Sequence, residues 1–301
     1  MKTALVTGSK GFVGTHLCRL LRSHNINVTG YDMRDGHDVR DYERLRSVIA
    51  HTDPDYIFHL AAQAYVPEST TDVRRAMDVN MTGTVNLLEA VRQTGSQARI
   101  LITGTSEEYG YETQPDGVRV TEESCCRPTT PYGLTKLGAS SMGLVYHQLY
   151  GLQVVVTRAW NHTGPGHSSM YALPAFARRI AEYERDLRPY VEHGSLDSVR
   201  NYTSVHDIIE AYLLAINLEP GVYNLCSEYT VSLSTVMQML CDMASKQVEL
   251  KEIAHLHRGP AKFYPLPSAK KFQSLTGWEP KVNLSTMLEE LLNYWRERVA
   301  L

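Results

Sequence analysis

The sequence of 301 residues lacks several features that mark common binding and membrane functions. It has no run rich in lysine and arginine, and its formal net charge is −3, whereas proteins that bind nucleic acid present a concentrated positive face. The longest apolar stretch, YIFHLAAQAYV, is too short and too interrupted to span a bilayer. We therefore expect neither a nucleic-acid partner nor a membrane-spanning segment.

The chain is also poor in cysteine, with five residues and no CxxC pair. The adjacent Cys125 and Cys126 suit neither an ordinary disulfide nor a zinc site. Nothing resembles a signal peptide, because an apolar strand and a glycine loop come almost at once. These absences predict a cytoplasmic protein with reduced thiols and no metal site.

Apolar strand-like segments alternate with helix-like segments through roughly residues 1 to 163. The predicted strands are TALVTG, INVTGYD, DPDYIFHLAA, ARILITG and LQVVVTRAW, and the two longest predicted helices are VRRAMDVNMTGTVNLLEAVRQTG and PYGLTKLGASSMGLVYHQLYG. This alternation is typical of a parallel sheet covered by helices on both faces. The sequence therefore predicts an α/β fold with a Rossmann-like, doubly wound parallel sheet.

A glycine-rich loop, TGSKGFVG, lies between the first predicted strand and the first predicted helix. Gly8, Gly11 and Gly14 permit a tight turn and the close approach of a pyrophosphate, at which the helix N-terminus points its N–H groups. The strand–loop–helix context favours a dinucleotide site, to which Phe12 and Val13 also belong, over a glycine turn without a ligand.

The second strand ends in VTGYDMRD, where a carboxylate can accept hydrogen bonds from the adenosine ribose hydroxyls. Asp32 in this position favours NAD, with a solvated loop acid as the alternative. Arg34 follows two residues later and could instead meet the 2′-phosphate of NADP. Asp38 and Val39 begin the next segment and are assigned to the adenine edge of the cofactor.

The segment PYGLTK places Tyr132 and Lys136 four residues apart, at the start of a helix opened by Pro131. Positions i and i+4 share a helix face, and an ammonium close to a phenol lowers the pKa of the tyrosine from about 10. Tyr132 then becomes an acid or base near neutral pH, and Lys136 can also hold the nicotinamide ribose. The alternative is a chance pair on a solvated helix.

The segments TGSKGFVG, HLAAQ, TSEEYG, PYGLTK and NHTGPG, in this order, resemble the extended short-chain dehydrogenase/reductase family over essentially the whole chain. Within it the chain is similar to the GDP-sugar branch, which includes GDP-mannose 4,6-dehydratases. It is more similar to GDP-4-keto-6-deoxymannose reductases, through SEEYG, NHTGPG, VRNYTSVHDI and LTGWEP. The resemblance implies a GDP-linked nucleotide-sugar substrate. It also implies a homodimer, paired through a four-helix bundle of helices near 70–94 and 131–150.

The resemblance assigns a catalytic triad to Thr105, Tyr132 and Lys136. Thr105 would orient the substrate oxygen, and Tyr132 would pass a proton to or from it. Glu107 matches the acid that removes a proton next to the 4-keto group in the dehydratases, although several reductases carry Glu there too. Glu108 has no such role and is expected to be a pocket-edge or solvated acid.

Further cofactor contacts are implied around HLAAQ and at neighbouring element ends: Leu60, Ala61, Ala62, Asn80 and Thr103. Asn80 is expected to brace the helix near the active site, with an amide on a helix surface as the alternative.

Five residues are assigned to the substrate: Ser106, Asn161, His162, Arg200 and Arg258. Asn161 would reach the phosphates, and His162 either lines the sugar pocket or is a packed histidine. Arg200 would clamp the diphosphate with two hydrogen bonds or lie on the surface. Arg258 lies in HRGPAKFYP, which departs from the Arg-Pro-(Ser/Thr)-Glu-Val of the GDP-sugar branch by offering Lys262 and no acid.

Two units are expected along the chain. Residues 1–163 and about 202–226 form the predicted dinucleotide-binding Rossmann domain, and about 164–201 with 227–301 form a smaller α/β lobe for the nucleotide sugar. The segment HLHRGPAKFYPLPSAKKF, rich in proline and lysine, is predicted to be a loop that caps a pocket.

The segment NHTGPG favours one GDP-sugar activity, since the dehydratases usually have Asn-His-Glu-Ser-Pro-Arg there. The leading hypothesis is NAD(P)H-dependent reduction of the C4 ketone of a 4-keto-6-deoxy sugar, converting GDP-4-keto-6-deoxymannose to a GDP-6-deoxyhexose. A GDP-mannose 4,6-dehydratase with tightly bound NAD(P) is the second hypothesis. A non-catalytic dinucleotide sensor is disfavoured by the Tyr132–Lys136 pair, and an epimerase by Glu107.

Overall fold

A computed structural model describes residues 1–110, 118–256 and 266–300. The strands are β1 (Thr3–Thr7), β2 (Asn27–Tyr31), β3 (Tyr56–His59), β4 (Arg99–Thr105), β5 (Gln153–Ala159), β6 (His162–Thr163), β7 (Val191–His193), β8 (Val199–Asn201), β9 (Thr203–Ser204), β10 (Gly221–Leu225), β11 (Thr230–Ser232) and β12 (Leu250–Glu252). The helices are α1 (Phe12–Ser23), α2 (Tyr42–Thr52), α3 (Val66–Thr71), α4 (Val73–Met77), α5 (Gly83–Thr94), α6 (Pro131–Tyr150), α7 (Ala172–Glu184), α8 (Val205–Ala215), α9 (Leu233–Asp242), α10 (Lys270–Thr276) and α11 (Leu284–Val299).

Six parallel strands form the main sheet in the order β2-β1-β3-β4-β5-β10. Every residue of β3 and most residues of β4 and β5 are buried, as expected for strands with helices on both faces. Strands are added on both sides of β1, so the strand order reverses there. Ligands of such sheets bind in the crevice at the carboxyl ends of the strands, next to this reversal. The predicted Rossmann-like α/β fold is confirmed.

The first unit contains Met1–Trp160, Ile208–Leu225 and Ser268–Trp278. Its core joins strand residues to residues of the flanking helices: Leu5, Ile57, Ile100, Ile102, Val154, Val156, Leu45, Ile49, Leu87 and Leu88. The sequence prediction placed 268–278 in the second unit. They lie in the first because Phe272 is fully buried, with its ring 6.3 Å from that of Tyr223 on β10 and 5.5 Å from that of Trp278.

The second unit contains Asn161–Asp207, Cys226–Pro267 and Glu279–Leu301, of which 257–265 and 301 lie outside the described residues. Helices α7, α9 and α11 pack in its core through apolar residues that include Phe176, Ile180, Val236, Leu240, Leu288 and Leu291. Three two-stranded pairings, β11-β8, β12-β7 and β6-β9, belong to this unit. Half of the predicted pocket-capping loop, 257–265, lies outside the described part, and its last three residues are not loop because they begin α10.

The long helix predicted from VRRAMDVNMTGTVNLLEAVRQTG is not one regular α-helix. Helix α4 leads into a π-helical turn over Asp78–Thr82, and α5 follows from Gly83. A π-turn widens the helix by one residue and is frequent at functional sites. Val39 occupies the space where a Cβ on Gly83 would lie, 2.6 Å from the Val39 Cγ2 atom.

Helix α6 begins where the sequence places it. The Thr130 hydroxyl caps its N-terminus by accepting a 3.0 Å hydrogen bond from the Gly133 N–H, and Pro131 fills the first position. The helix ends at Tyr150 and is capped by Gly151, which is left-handed with φ +72°. These signals fix the start of the helix that carries Tyr132 and Lys136.

Candidate active site

The glycine loop after β1 forms a backbone cradle. Gly8 is left-handed, with φ +68°, and its N–H donates a 2.8 Å hydrogen bond to the Tyr31 carbonyl at the end of β2. A Cβ on Gly14 would overlap the Gly8 carbonyl oxygen. Gly11 caps α1 without a side chain, and the first turn of α1 holds no acid. The cradle and the helix N-terminus therefore fit a pyrophosphate.

A chain of hydrogen bonds connects the ends of β1 and β3 to the π-turn. The backbone N–H groups of Leu60 and Ala61 donate to the Thr7 hydroxyl, at 3.1 and 3.2 Å. The Thr7 hydroxyl lies 2.8 Å from Nδ1 of His59, and the Thr84 hydroxyl lies 2.9 Å from Nε2.

The tautomer of His59 follows from this chain. The Thr84 hydroxyl donates to the Asn80 carbonyl at 2.7 Å, so it accepts from His59, and His59 carries its proton on Nε2. Burial lowers the pKa of His59 to about 3, with a smaller contribution from Lys136, so the ring is neutral. Sequence analysis did not single out this residue.

Asn80 is 1% exposed, which excludes an amide on a helix surface. Its side-chain oxygen accepts from the Gln63 N–H at 2.8 Å, and its amide donates to the Thr135 hydroxyl at 2.9 Å. The Thr135 hydroxyl donates in turn to the Tyr132 carbonyl at 2.9 Å. Asn80 therefore joins the segment after β3 to the first turn of α6.

Asp32 follows β2 and is nearly buried, which excludes a solvated loop acid. Its two carboxylate oxygens accept from the N–H groups of Lys10 and Arg34, at 2.9 and 3.0 Å. The Arg34 guanidinium is exposed and donates to the Lys10 carbonyl at 2.7 Å. Asp38, farther along, pairs with Arg40 at 2.5 Å.

The turn Ser106–Tyr109 brings the end of β4 against the start of α6. The Thr105 hydroxyl accepts a 3.3 Å hydrogen bond from the Glu107 N–H. A Cβ on Gly133 would lie 2.6 Å from the Glu107 carbonyl oxygen, so only glycine permits this approach. The half-buried Glu107 and Tyr132 therefore stand on adjoining segments, while the Ser106 side chain, assigned to substrate, is 3% exposed.

Lys136 lies beneath this surface and is 4% exposed. Its amine is 3.5 Å from the Thr103 hydroxyl, which donates to the His59 carbonyl at 3.0 Å. Burial lowers the pKa of Lys136 to about 8, and the Glu108 carboxylate acts in the opposite direction. The amine thus remains mainly protonated at neutral pH.

Glu108 is neither a pocket-edge nor a solvated acid, and that prediction is wrong. Its side chain is fully buried and forms a 2.7 Å ion pair with the Nε atom of Arg158, itself 7% exposed. Buried carboxylates are rare unless they are paired. The signal that could have revealed the pair is the arginine in the apolar strand LQVVVTRAW, since Arg158 stands opposite Gly104 in the β4–β5 register.

Three residues assigned to the substrate lie in the second unit. Asn161 has a buried side-chain Nδ2 atom without a hydrogen-bond partner among the described residues. His162 belongs to β6, which pairs with β9. Arg200 lies in β8 and is half-buried, opposite Val231 of β11. Arg258 and Lys262 lie outside the described residues.

The sequence matches a known family over most of the first unit and beyond. Residues 4–226 match the NAD dependent epimerase/dehydratase family. The chain belongs to this family. It is 31% identical over 297 residues to a GDP-6-deoxy-D-mannose reductase of Pseudomonas aeruginosa, covering 98% of this chain and 97% of that protein.

Solved structures of similar proteins share the fold over nearly the whole length. RMD from Pseudomonas aeruginosa, complexed with NADPH, has a TM-score of 0.90 and 28% identity, covering 99% of this chain and 100% of that one. The UDP-glucose 4-epimerase of Thermus thermophilus, in complex with NAD, has a TM-score of 0.86 and 27% identity, covering 98% of this chain and 99% of that one.

Membership of the family confirms the predicted resemblance to extended short-chain dehydrogenases/reductases and the prediction of an NAD(P)-dependent nucleotide-sugar enzyme. Among the described helices, none has the length and apolar character needed to cross a membrane.

Proposed function

We propose that the protein reduces the C4 ketone of a nucleotide-linked 4-keto-6-deoxy sugar, with GDP-4-keto-6-deoxymannose as substrate and a GDP-6-deoxyhexose as product. The observation that supports the proposal is the close approach of the turn after Thr105 to the start of α6, where Gly133 lies against the Glu107 carbonyl between the proposed catalytic Tyr132 and Lys136. The full-length similarity to a GDP-6-deoxy-D-mannose reductase supports the choice of substrate.

Thr105 positions the ketone, and Tyr132 and Lys136 supply the proton that its oxygen receives. The Thr105 hydroxyl accepts from the Glu107 N–H and keeps its own hydrogen for the substrate oxygen. The Tyr132 phenol donates a proton to that oxygen as it becomes a hydroxyl. The Lys136 ammonium, one helical turn along α6, stabilises the phenolate that remains.

The cofactor is held by the glycine cradle, the N-terminus of α1 and Asp32, and when bound it supplies the hydride. We propose NADH as the preferred form. Asp32 is held by two backbone N–H groups at the end of β2, where its charge would oppose a 2′-phosphate. Phe12, Val13, Leu60, Ala61 and Ala62 complete the proposed cofactor site.

The substrate is proposed to contact Asn161, His162 and Arg200, and also Ser106 and Arg258. The unpartnered Nδ2 atom of Asn161 supports this for one residue, because a buried amide without a partner costs free energy until a ligand oxygen accepts its hydrogen bond.

We propose a homodimer that forms through α6 and the helices before it. Leu134, Val145 and Leu149 on α6 are 59%, 39% and 64% exposed, and their spacing puts them on one face. Met77 on α4 is 47% exposed as well. Closed two-fold pairing is the commonest way to cover such a surface. The cytoplasm is the proposed location, since thiols such as Cys18 and Cys241 stay reduced there.

A turnover assay with GDP-4-keto-6-deoxymannose and added NADH or NADPH tests the reductase. We expect oxidation of the cofactor in proportion to a GDP-6-deoxyhexose product. The Tyr132→Phe variant should lose about 10²–10⁴-fold in rate while binding the dinucleotide as before. Absence of turnover with either cofactor would refute the proposal.

A GDP-mannose 4,6-dehydratase is the second candidate, because Glu107 stands beside Thr105 and adjoins the start of α6. Incubation of the purified protein with GDP-mannose and no added reductant separates the two activities. A 4-keto product that disappears in Glu107→Gln would establish the dehydratase, whereas unchanged GDP-mannose supports the reductase.

A further inference from the structure

Glu108 and Arg158 form a buried ion pair next to the backbone of Thr105, one of the proposed catalytic residues. The Oε2 atom of Glu108 accepts from the Nε atom of Arg158 at 2.7 Å, and the two side chains are 0% and 7% exposed. The Arg158 guanidinium also stacks on Tyr109, 4.7 Å from the ring centroid. Burial alone would lower the pKa of Arg158, but the Glu108 carboxylate raises it above the ordinary value, so the arginine stays charged.

The other oxygen of the Glu108 carboxylate holds the catalytic segment. It accepts a 2.9 Å hydrogen bond from the Thr105 backbone N–H and a 3.0 Å hydrogen bond from the Ser140 hydroxyl. A Cβ on Gly104 would overlap this oxygen, so the carboxylate lies directly against β4. Ser140 stands one turn after Lys136 on α6. Glu108 therefore links the strand that ends at Thr105 to the helix that carries Lys136.

One carboxylate shifts the pKa of the Lys136 amine, and it belongs to Glu108. Titratable and charged groups face this region from β3, the turn after β4, residues 118–127, α6 and β5: His59, Glu108, Tyr109, Cys126, Tyr132 and Arg158. His59 is neutral, and burial raises the pKa values of Tyr109 and Cys126, which keeps them neutral too.

We propose that the Glu108–Arg158 pair is a positioning element of the active site. It fixes Thr105 through the strand backbone, and its balance of charge keeps Lys136 in the ammonium form at the working pH. Neither residue touches the substrate or the cofactor in this role. The inference rests on the proposed reduction for its kinetic consequences, but its electrostatic part belongs to the folded protein alone.

The two partners carry opposite charges, so removing one or the other should shift the pKa of Lys136 in opposite directions, and this separates an electrostatic role from a merely structural one. Glu108→Gln keeps the shape and an oxygen acceptor for Thr105 but leaves the Arg158 cation unbalanced, which disfavours a second cation nearby. Arg158→Met leaves the Glu108 carboxylate without its paired cation, and an unpaired negative charge favours the ammonium form of Lys136. The double variant removes both charges.

The pH profile of kcat/KM for the reduction tests this directly. We expect the alkaline limb to move down by about one pH unit or more in Glu108→Gln and up by a similar amount in Arg158→Met. The double variant should lie between the two. Glu89→Gln and Arg92→Met, which make the same substitutions in a surface ion pair on α5, should leave the limb in place.

Urea unfolding of the protein without cofactor or substrate gives a second readout that holds even if the proposed reaction is wrong. Because the pKa of Lys136 is lowered to about 8 in the fold, its contribution to stability rises with pH above 8. In Glu108→Gln the pKa of Lys136 should fall further, so the loss of unfolding free energy relative to the natural protein should be smaller at pH 9 than at pH 7. In Arg158→Met this pKa should rise, so the loss should be larger at pH 9 than at pH 7. Shifts of the same sign in both single variants, or no shift in any variant that folds, would overturn the proposal.

Discussion

At the scale of a single residue, the neutral side chain of His59 connects two segments of the candidate site by hydrogen bonds. Its ring lies between the hydroxyls of Thr7 and Thr84, and each ring nitrogen has one assigned role in the hydrogen-bond chain. Protonation would turn Nδ1 from an acceptor into a donor facing a hydroxyl that already accepts from two N–H groups. The ring therefore resists charging, and the site is sensitive to acid.

This sensitivity gives a prediction about stability and pH. The pKa of His59 is lowered from 6.5 to about 3 by burial, so its stabilising contribution is complete above pH 6.5 and is lost as the pH falls towards 3. We expect about 2 kcal/mol of this loss between pH 6.5 and pH 5. Urea unfolding across this range should show a shallower decline in His59→Gln than in the natural protein. His51→Gln, at an exposed position on α2, should keep the natural slope; equal slopes in all three proteins would contradict the assignment.

Asp32 gives a prediction about the choice of cofactor. Asp32→Asn removes the charge and keeps one oxygen acceptor for the loop N–H groups. We expect the ratio of kcat/KM for NADH to that for NADPH to fall about tenfold, a difference of about 1.4 kcal/mol. Asp35→Asn removes a nearby charge that pairs with Lys10, and it should leave the ratio within about twofold. An unchanged ratio in Asp32→Asn would mean that the carboxylate serves only the loop.

The motifs of the sequence name the candidate site residues but show little of what supports them in the fold. Gly8, Asp32 and Lys136 were visible because each motif joins a residue type to a strand end or a helix start. Glu108 and His59 were not visible, because their partners lie far away in the sequence. Arg158 forms the ion pair with Glu108, and Thr7 and Thr84 form the hydrogen bonds with His59. Partners separated by tens of residues leave no periodic signal.

At the scale of elements, the approach of α6 to the Ser106–Tyr109 turn gives the third prediction. Gly133→Ala places a methyl 2.6 Å from a backbone carbonyl, which must move, so the turn that carries Thr105 and Glu107 shifts. A shift of about 1 Å can cost about 100-fold in rate, and we expect kcat to fall by that order.

Gly138→Ala is the matched control on the same helix. Its methyl would lie 2.6 Å from the Cε atom of Met81, the mobile end of a side chain that can turn aside. Alanine also favours the helix by about 1 kcal/mol, so activity and melting temperature should stay near natural values. Kinetics and thermal melts of both variants, measured side by side, check the difference; equal activity would show that the turn does not depend on this contact.

The spacing of apolar residues in the sequence does not predict the π-turn before α5. The apolar pattern of VRRAMDVNMTGTVNLLEAVRQTG predicts helix throughout, and the inserted residue changes that pattern too little to be read. What the spacing does not show is that Asn80 in the turn accepts from the Gln63 backbone N–H and donates to the Thr135 hydroxyl at once.

At the scale of the whole molecule, the exposed apolar face of α6 gives the fourth prediction. Leu149→Glu places a charge within the proposed interface, and we expect light scattering after size exclusion to report the mass of one chain instead of two. Leu275→Glu changes an equally apolar residue, 57% exposed on α10, and should leave the dimer intact. A natural protein that already has the mass of one chain would refute the dimer.

The first unit is assembled from three separate pieces of chain, and Ser268–Trp278 completes it after most of the second unit has been made. During synthesis the chain leaves the ribosome N-terminus first, and domains generally fold as units. The first unit cannot reach its final packing around Phe272 until Ser268–Trp278 has emerged. Nascent chains halted before this point carry Tyr223 without its aromatic neighbour Phe272, and we expect them to expose apolar surface for longer than a domain made from one continuous stretch.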